Sequence, residues 1–226
     1  MSGKNQETEK LSLFAILLGS TPQGRNIEQH DMMFGVAKKL DDLIDRMKRF
    51  WHAPVIADLA ARVSKLYPQV DKEQLQKDLL PALIKRDAVH IDAWTRVDYV
   101  DGYKVVILPK ELAGGNNGLR LFFINLGGYK QGEFEELHRK FFVVAANVSE
   151  AMKKAKAHEF MKECAADNIG KGATPHLDDQ HKIDFEADDI ICVSDQLDSA
   201  YVLQLEQVES HPENELVIGY VKLNYN

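Results

Sequence analysis

The sequence predicts an α+β fold made by internal duplication. Two strand–strand–helix–hairpin lobes are expected, related by a pseudo-two-fold axis, with a helical insertion in the first. Two observations carry this. Leu11-Ser12-Leu13-Phe14-Ala15-Ile16-Leu17-Leu18-Gly19 returns as Leu119-Arg120-Leu121-Phe122-Phe123-Ile124-Asn125-Leu126-Gly127. The match continues without a gap through Gln23-Gly24 and Gln131-Gly132, Glu28-x-His30 and Glu136-x-His138, and Phe34-x-Val36-Ala37 and Phe142-x-Val144-Ala145. Roughly half of these aligned positions are identical, far above chance, which marks a structural unit used twice. Further on, His90-Ile91-Asp92 and Val97-Asp98-Tyr99 are echoed, at the same internal spacing, by His176-Leu177-Asp178 and Ile183-Asp184-Phe185.

Each element follows from local pattern. Leu11–Leu18 and Leu119–Leu126 are apolar on nearly both faces, as in central strands. Phe14, Ile16 and Leu18 share one face, and Phe122, Ile124 and Leu126 reproduce it. That unchanged face is expected to pack on a helix, since alternate side chains of a strand point the same way. A glycine-bearing loop follows each strand, then a second short strand, Met32–Ala37 or Lys140–Ala146. In the first copy Leu40, Leu43, Ile44, Met47, Phe50 and Trp51 recur at helical spacing. In the second, Asn147 or Ser149 can cap a helix with Glu150 in its first turn.

Residues 54–86 have no counterpart in the second copy. Pro54–Tyr67 reads as one helix, and Asp71 opens another that Pro81 should kink or end. Asp101-Gly102 between Val97–Val100 and Tyr103–Leu108 signals a two-residue hairpin. Gly114–Gly118 reads as the linker between lobes, so the first lobe is expected over residues 1–112 and the second over 119–226. Tyr201–Val208 and Glu215–Leu223 are expected to close the second lobe as a hairpin.

Composition narrows the function classes. The 226-residue chain is 45% hydrophobic and 28% charged, with a formal net charge of −7, ordinary values for a globular protein with a buried core. No basic stripe is present, which argues against nucleic acid, because Lys and Arg contacts to phosphate dominate that affinity. Two cysteines without metal-type spacing, Cys164 and Cys192, point to a reducing compartment. The polar start lacks signal-peptide order, and Leu11–Leu18 is too short to span a bilayer. A cytoplasmic protein is expected, with no membrane association and no cofactor; a protein partner or a homodimer is the partner class left.

One polar constellation occurs twice: Glu28, His30, His90 and Asp92, then Glu136, His138, His176 and Asp178. Two imidazoles and two carboxylates can hold a divalent metal such as zinc or manganese. They can equally form carboxylate–imidazolium hydrogen bonds that tie the long loop to the hairpin, and that structural reading is the one favoured by sequence. The glycine loops match neither a P-loop nor a dinucleotide fingerprint and lead into a strand, so phosphate binding is set aside.

The order Leu18-Gly19, Gly24, Glu28-x-His30-Asp31, Phe34, His90-x-Asp92-Ala93-Trp94 and Val100-Asp101-Gly102-Tyr103 resembles a small bacterial family known as domain of unknown function 1543, and the second copy repeats much of it. Tandem copies of a short domain are what this resemblance implies, and it implies no activity. The second copy departs from it: Arg139 replaces the acid beside the histidine, and Ala187-Asp188-Asp189 replaces the Asp-Gly-Tyr turn. A non-catalytic binding or scaffolding module is therefore the first expectation. A metal-dependent hydrolase using the Glu/His/His/Asp set is second, and a structural homo-oligomer third.

Overall fold

The computed structural model describes residues 10–115, 117–130, 132–164, 176–177 and 190–223. They fall into two compact units, one comprising residues up to Val97 and from Glu213 on, the other Asp98–Pro212.

The first unit is a four-stranded antiparallel sheet with helices on one face. Its strands are β1 (Ser12–Ser20), β2 (Gln29–Ala37), β3 (His90–Arg96) and, from the chain's end, a strand numbered β11 (Leu216–Lys222); the spatial order is β11-β3-β1-β2. Central β1 pairs along its whole length with β2, from Ser12 opposite Ala37 to Ser20 opposite Gln29. Strand β2 therefore begins three residues before its apolar stretch, because Gln29, His30 and Asp31 complete the ladder to the end of β1. Phe14, Ile16 and Leu18 are buried with Met33, Leu43, Met47, Val89, Ile91 and Leu223.

Helix α1 (Ile44–Leu66) runs straight through Pro54, where two helices were expected. A proline removes one helical hydrogen bond; burial of Met47, His52, Ile56 and Ala60 on both sides of it holds the helix together. Helix α2 (Lys72–Arg86) likewise continues past Pro81, and its Asp71 cap accepts hydrogen bonds from the backbone N–H groups of Glu73 and Gln74.

The second unit contains β4 (Tyr99–Val100), β5 (Tyr103–Pro109), β6 (Arg120–Tyr129), β7 (Glu136–Ala145), α3 (Val148–Ala157), α4 (Phe160–Glu163), β8 (His176–Leu177), β9 (Ile190–Cys192) and β10 (Tyr201–Gln207). The expected Asp101-Gly102 turn joins β4 to β5, with both residues at positive φ, 51° and 79°, the geometry of a two-residue hairpin. Asp101 also accepts hydrogen bonds from the Val144 backbone N–H at 3.0 Å and the Lys154 ammonium at 2.9 Å. Strand β6 is flanked by β7 on one side and by β8 and β9 on the other. Phe122, Ile124 and Leu126 are buried against Ala151, Ala155 and Phe160. Asn147 caps α3 by accepting the Glu150 N–H.

The expected closing hairpin does not form. Strand β10 pairs with β5, while β11 leaves to pair with β3 in the first unit. Leu205 of β10 is buried opposite Val105, whereas β11 leaves Leu216, Ile218 and Val221 exposed and only Leu223, just after it, is buried in the first core. The expected linker is no boundary either, for it lies inside the second unit, where the Asn117 side chain donates to the Leu205 carbonyl at 3.0 Å.

Candidate metal centre

Gly19 lies near the end of β1, and both neighbouring strands place a histidine opposite it: His30 on β2 and His90 on β3. Directly paired residues project to the same face of a sheet. Here that is the face opposite Phe14, Ile16 and Leu18. Strand β3 then bulges: Leu17 pairs with Ala93 and Leu18 with Ile91, leaving Asp92 unpaired on β1. Such a bulge re-aims side chains. It keeps Ile91 in the core while turning Asp92 toward His90. Glu28, just ahead of β2, completes the set.

The four side chains converge. His90 Nε2 lies 2.7 Å from Glu28 Oε1 and 3.1 Å from Asp92 Oδ1. His30 Nε2 lies 3.2 Å from Asp92 Oδ2 and 3.5 Å from Glu28 Oε2. Glu28, His30 and Asp92 each bring one possible ligand atom within 4.8 Å of the others, while His90 reaches the oxygens of the two carboxylates that face away from His30. Among the described residues, the buried His90 Nε2 and Asp92 Oδ2 have no hydrogen bond of acceptable geometry. An imidazole N–H points one way in its ring plane, whereas each Nε2 here approaches two carboxylates.

Space for the cluster comes from Gly19. A Cβ there would collide with Asp92 Oδ2 and come within 2.7 Å of His90 Nε2, closer than real Cβ atoms approach. His90 is buried, its ring 4.1 Å from that of Tyr220 on β11. Glu28 and His30 keep 37% and 43% of their side-chain surface exposed, so the cluster opens to solvent on their side.

The second unit repeats the backbone platform. Gly127 of β6 pairs with His138 on β7 and with His176 on β8, as Gly19 pairs with His30 and His90. A Cβ at Gly127 would meet Glu136 Oε1 at 2.7 Å and His138 Nε2 at 3.7 Å. Glu136 and His138 thus reach the same side of their glycine. Of the other two expected members, His176 is described only through its backbone pairing, and Asp178 lies outside the described residues. Arg139, where the first copy has Asp31, holds its guanidinium 6.0 Å from the centre of the Phe160 ring.

Sequence reasoning found the four converging residues but missed Gly19, the bulge and Tyr220. Only Gly19 left a legible signal, since it recurs as Gly127 at the end of each repeated strand. The cysteines behave as small core residues: burial pushes both thiols up, and Cys164 packs in the second core.

The fold and cluster define an α+β protein with a histidine–carboxylate cluster at the end of the sheet face opposite Phe14, Ile16 and Leu18. Residues 25–56 are similar to the family described as Domain of Unknown Function (DUF1543), a single match that spans Glu28 and His30 but not His90. The chain is similar in fold to protein Il1583 from Idiomarina loihiensis, at 19% identity and a TM-score of 0.53, over 96% of this chain and 100% of that one. No curated protein is significantly similar to the chain. Among the described residues, no helix is long and apolar enough to cross a membrane.

Proposed function

We propose that this protein is a non-catalytic binding module whose ligand is a divalent cation of the zinc or manganese class, held by Glu28, His30, His90 and Asp92. The carrying observation is the group formed by Glu28, His30 and Asp92, one ligand atom of each within 4.8 Å of the others, with the buried His90 Nε2 2.7 Å from Glu28 beside it, over a glycine that leaves them room. Four protein ligands fill a tetrahedral shell, the arrangement of a structural or binding site. A hydrolase is the second reading, favoured by the exposure of Glu28 and His30. A swing of either away from the ion would admit a water.

The proposal includes duplication of an ancestral lobe. Its support is the repeated sequence together with the matching registers at Gly19 and Gly127. Two free thiols and an acidic net charge are consistent with a cytoplasmic role without nucleic acid. Elemental analysis of protein purified without chelator or affinity-tag metal tests the cation. One equivalent of zinc or manganese per chain, lost in His90→Ala, is expected; metal-free protein that ignores added zinc and manganese would remove the proposal.

A further inference from the structure

We infer that the outer edge of β11 is an interaction surface whose occupant is β11 of a second copy of this chain, paired antiparallel about a two-fold axis. The inference stands apart from the cation reading. Among the described residues β11 pairs with β3 alone, so the backbone N–H and C=O groups along its outer edge are open to pairing. Its side chains are open as well: Leu216 is 60% exposed and Ile218 76%, with Tyr220 and Val221 exposed after them. The opposite edge of the same sheet differs. Strand β2 carries polar Gln29, His30 and Asp31 where it is exposed and is buried from Met33 to Ala37.

Free edges are normally blunted by charge, by proline or by a bulge. The one charge in β11 is Lys222 at its last position, and it contains no proline. Its bulge, at Gly219 with φ 155°, falls after Ile218 and leaves Leu216, Val217 and Ile218 in regular register with Thr95, Trp94 and Ala93. Ala93 lies opposite Leu17 and Thr95 opposite Ala15, so Leu216 and Ile218 project to the sheet face away from Phe14 and Ile16. A two-fold axis at Val217 sets Leu216 of each copy opposite Ile218 of the other, closing four exposed apolar side chains into one cluster. Charge fits the same arrangement. Glu213 and Glu215 lead into β11 and Lys222 ends it. Antiparallel pairing therefore lays the acidic approach of one copy along Val221 and Lys222 of the other. One strand pair is small beside the roughly 1,200–2,000 Å² of stable interfaces, so the dimer is reversible and its population rises with concentration.

Sedimentation velocity of the full chain, from micromolar to millimolar and with a chelator present to exclude metal bridges, tests the surface. A monomer–dimer equilibrium is expected. Ile218→Lys and Leu216→Lys, each verified as folded by circular dichroism, place an ammonium against the apolar cluster and should each weaken the dimer at least about 10-fold. Both positions are exposed in the single chain, so the fold should tolerate either change. Lys222→Glu should weaken the dimer a few-fold, and adding Glu213→Lys and Glu215→Lys should recover that loss. Lys85→Glu, on α2, makes the same change in net charge and should leave the dimer unaltered. A chain that stays monomeric throughout, or a dimer indifferent to both lysine substitutions, would overturn the inference. So would growth beyond dimers, since this pairing leaves no second β11 edge to extend. Capture of a different protein by β11 without self-association would overturn it as well.

Discussion

Gly19 and Gly127 occupy the same point in two antiparallel sheets, each with a histidine opposite it on both neighbouring strands, but the carboxylate lying against the glycine is Asp92 in the first and Glu136 in the second. Around Gly19 the groups beside the imidazoles are acidic, Glu28 and Asp92, while Asp31, paired with Leu18, projects to the opposite face. Around Gly127 the acidic group described on that face is Glu136, while Arg139, at the position of Asp31, pairs with Leu126 and reaches the Phe160 ring on the opposite face. The comparison separates two things that sequence presents as one. The glycine–histidine platform is a property of strand register, whereas a cation site also needs the neighbouring charges. A bulge in β3 supplies Asp92, and Glu28 stands just ahead of the first paired residue of β2.

The comparison can be broken most forcefully in the cores. Ile16 and Ile124 are both fully buried at matching positions on the central strands. Ile16→Ala and Ile124→Ala should each cost about 2–5 kcal/mol. Chemical denaturation measures both, and a loss below 1 kcal/mol in either would contradict the equivalence of the two sheet faces. The platforms come next. Gly19→Ala should weaken zinc binding by roughly 100-fold or more, the upper end for changes that displace ligands, because its Cβ intrudes on Asp92 and His90. Gly127→Ala should leave that affinity unchanged. Equal losses in calorimetry would show that the halves do not differ as described.

Acid should act on the first unit through two residues that have no equivalent in the second copy's repeated segments. Burial lowers the His52 imidazole below its ordinary 6.5, against an opposing pull from Asp87. Its stabilising share is complete above that value and falls as pH drops through it, since the unfolded chain then takes up the proton first. The Arg86 guanidinium holds the Asp87 carboxyl below its ordinary 3.8, so its share persists until lower pH. Thermal melts should show stability declining from pH 7 to pH 5, and His52→Gln should flatten that decline. The smallest effect concerns the helix caps: Asp71→Ala in the first unit and Asn147→Ala in the second should each cost about 1 kcal/mol. Denaturation midpoints would read this directly, and a neutral substitution at either cap would show that its helix start does not rely on the bonds seen there.

Much of this was legible locally. The strands Ser12–Ser20 and Arg120–Tyr129, the Asp101-Gly102 turn and the caps at Asp71 and Asn147 each follow from a few adjacent residues. So did the meeting of Glu28, His30, His90 and Asp92, because their repeated spacing implied repeated pairing. What sequence could not show depends on competition between distant partners. Leu216–Lys222 has the pattern of a hairpin arm, but its destination was decided by the free edge of β3. Pro54 reads as a helix break until the burial of Met47, His52, Ile56 and Ala60 is counted against one missing hydrogen bond. The bulge at Asp92 is a matter of register between β1 and β3, and no residue type announces it.

The most direct measurement is X-ray absorption at the zinc edge of the loaded, full-length protein. The account predicts four nitrogen or oxygen neighbours at about 2.0–2.1 Å, with the outer-shell scattering of two imidazoles that falls to one in His90→Ala. A spectrum without imidazole scattering, or with sulfur at about 2.3 Å from Cys164 or Cys192, would contradict it.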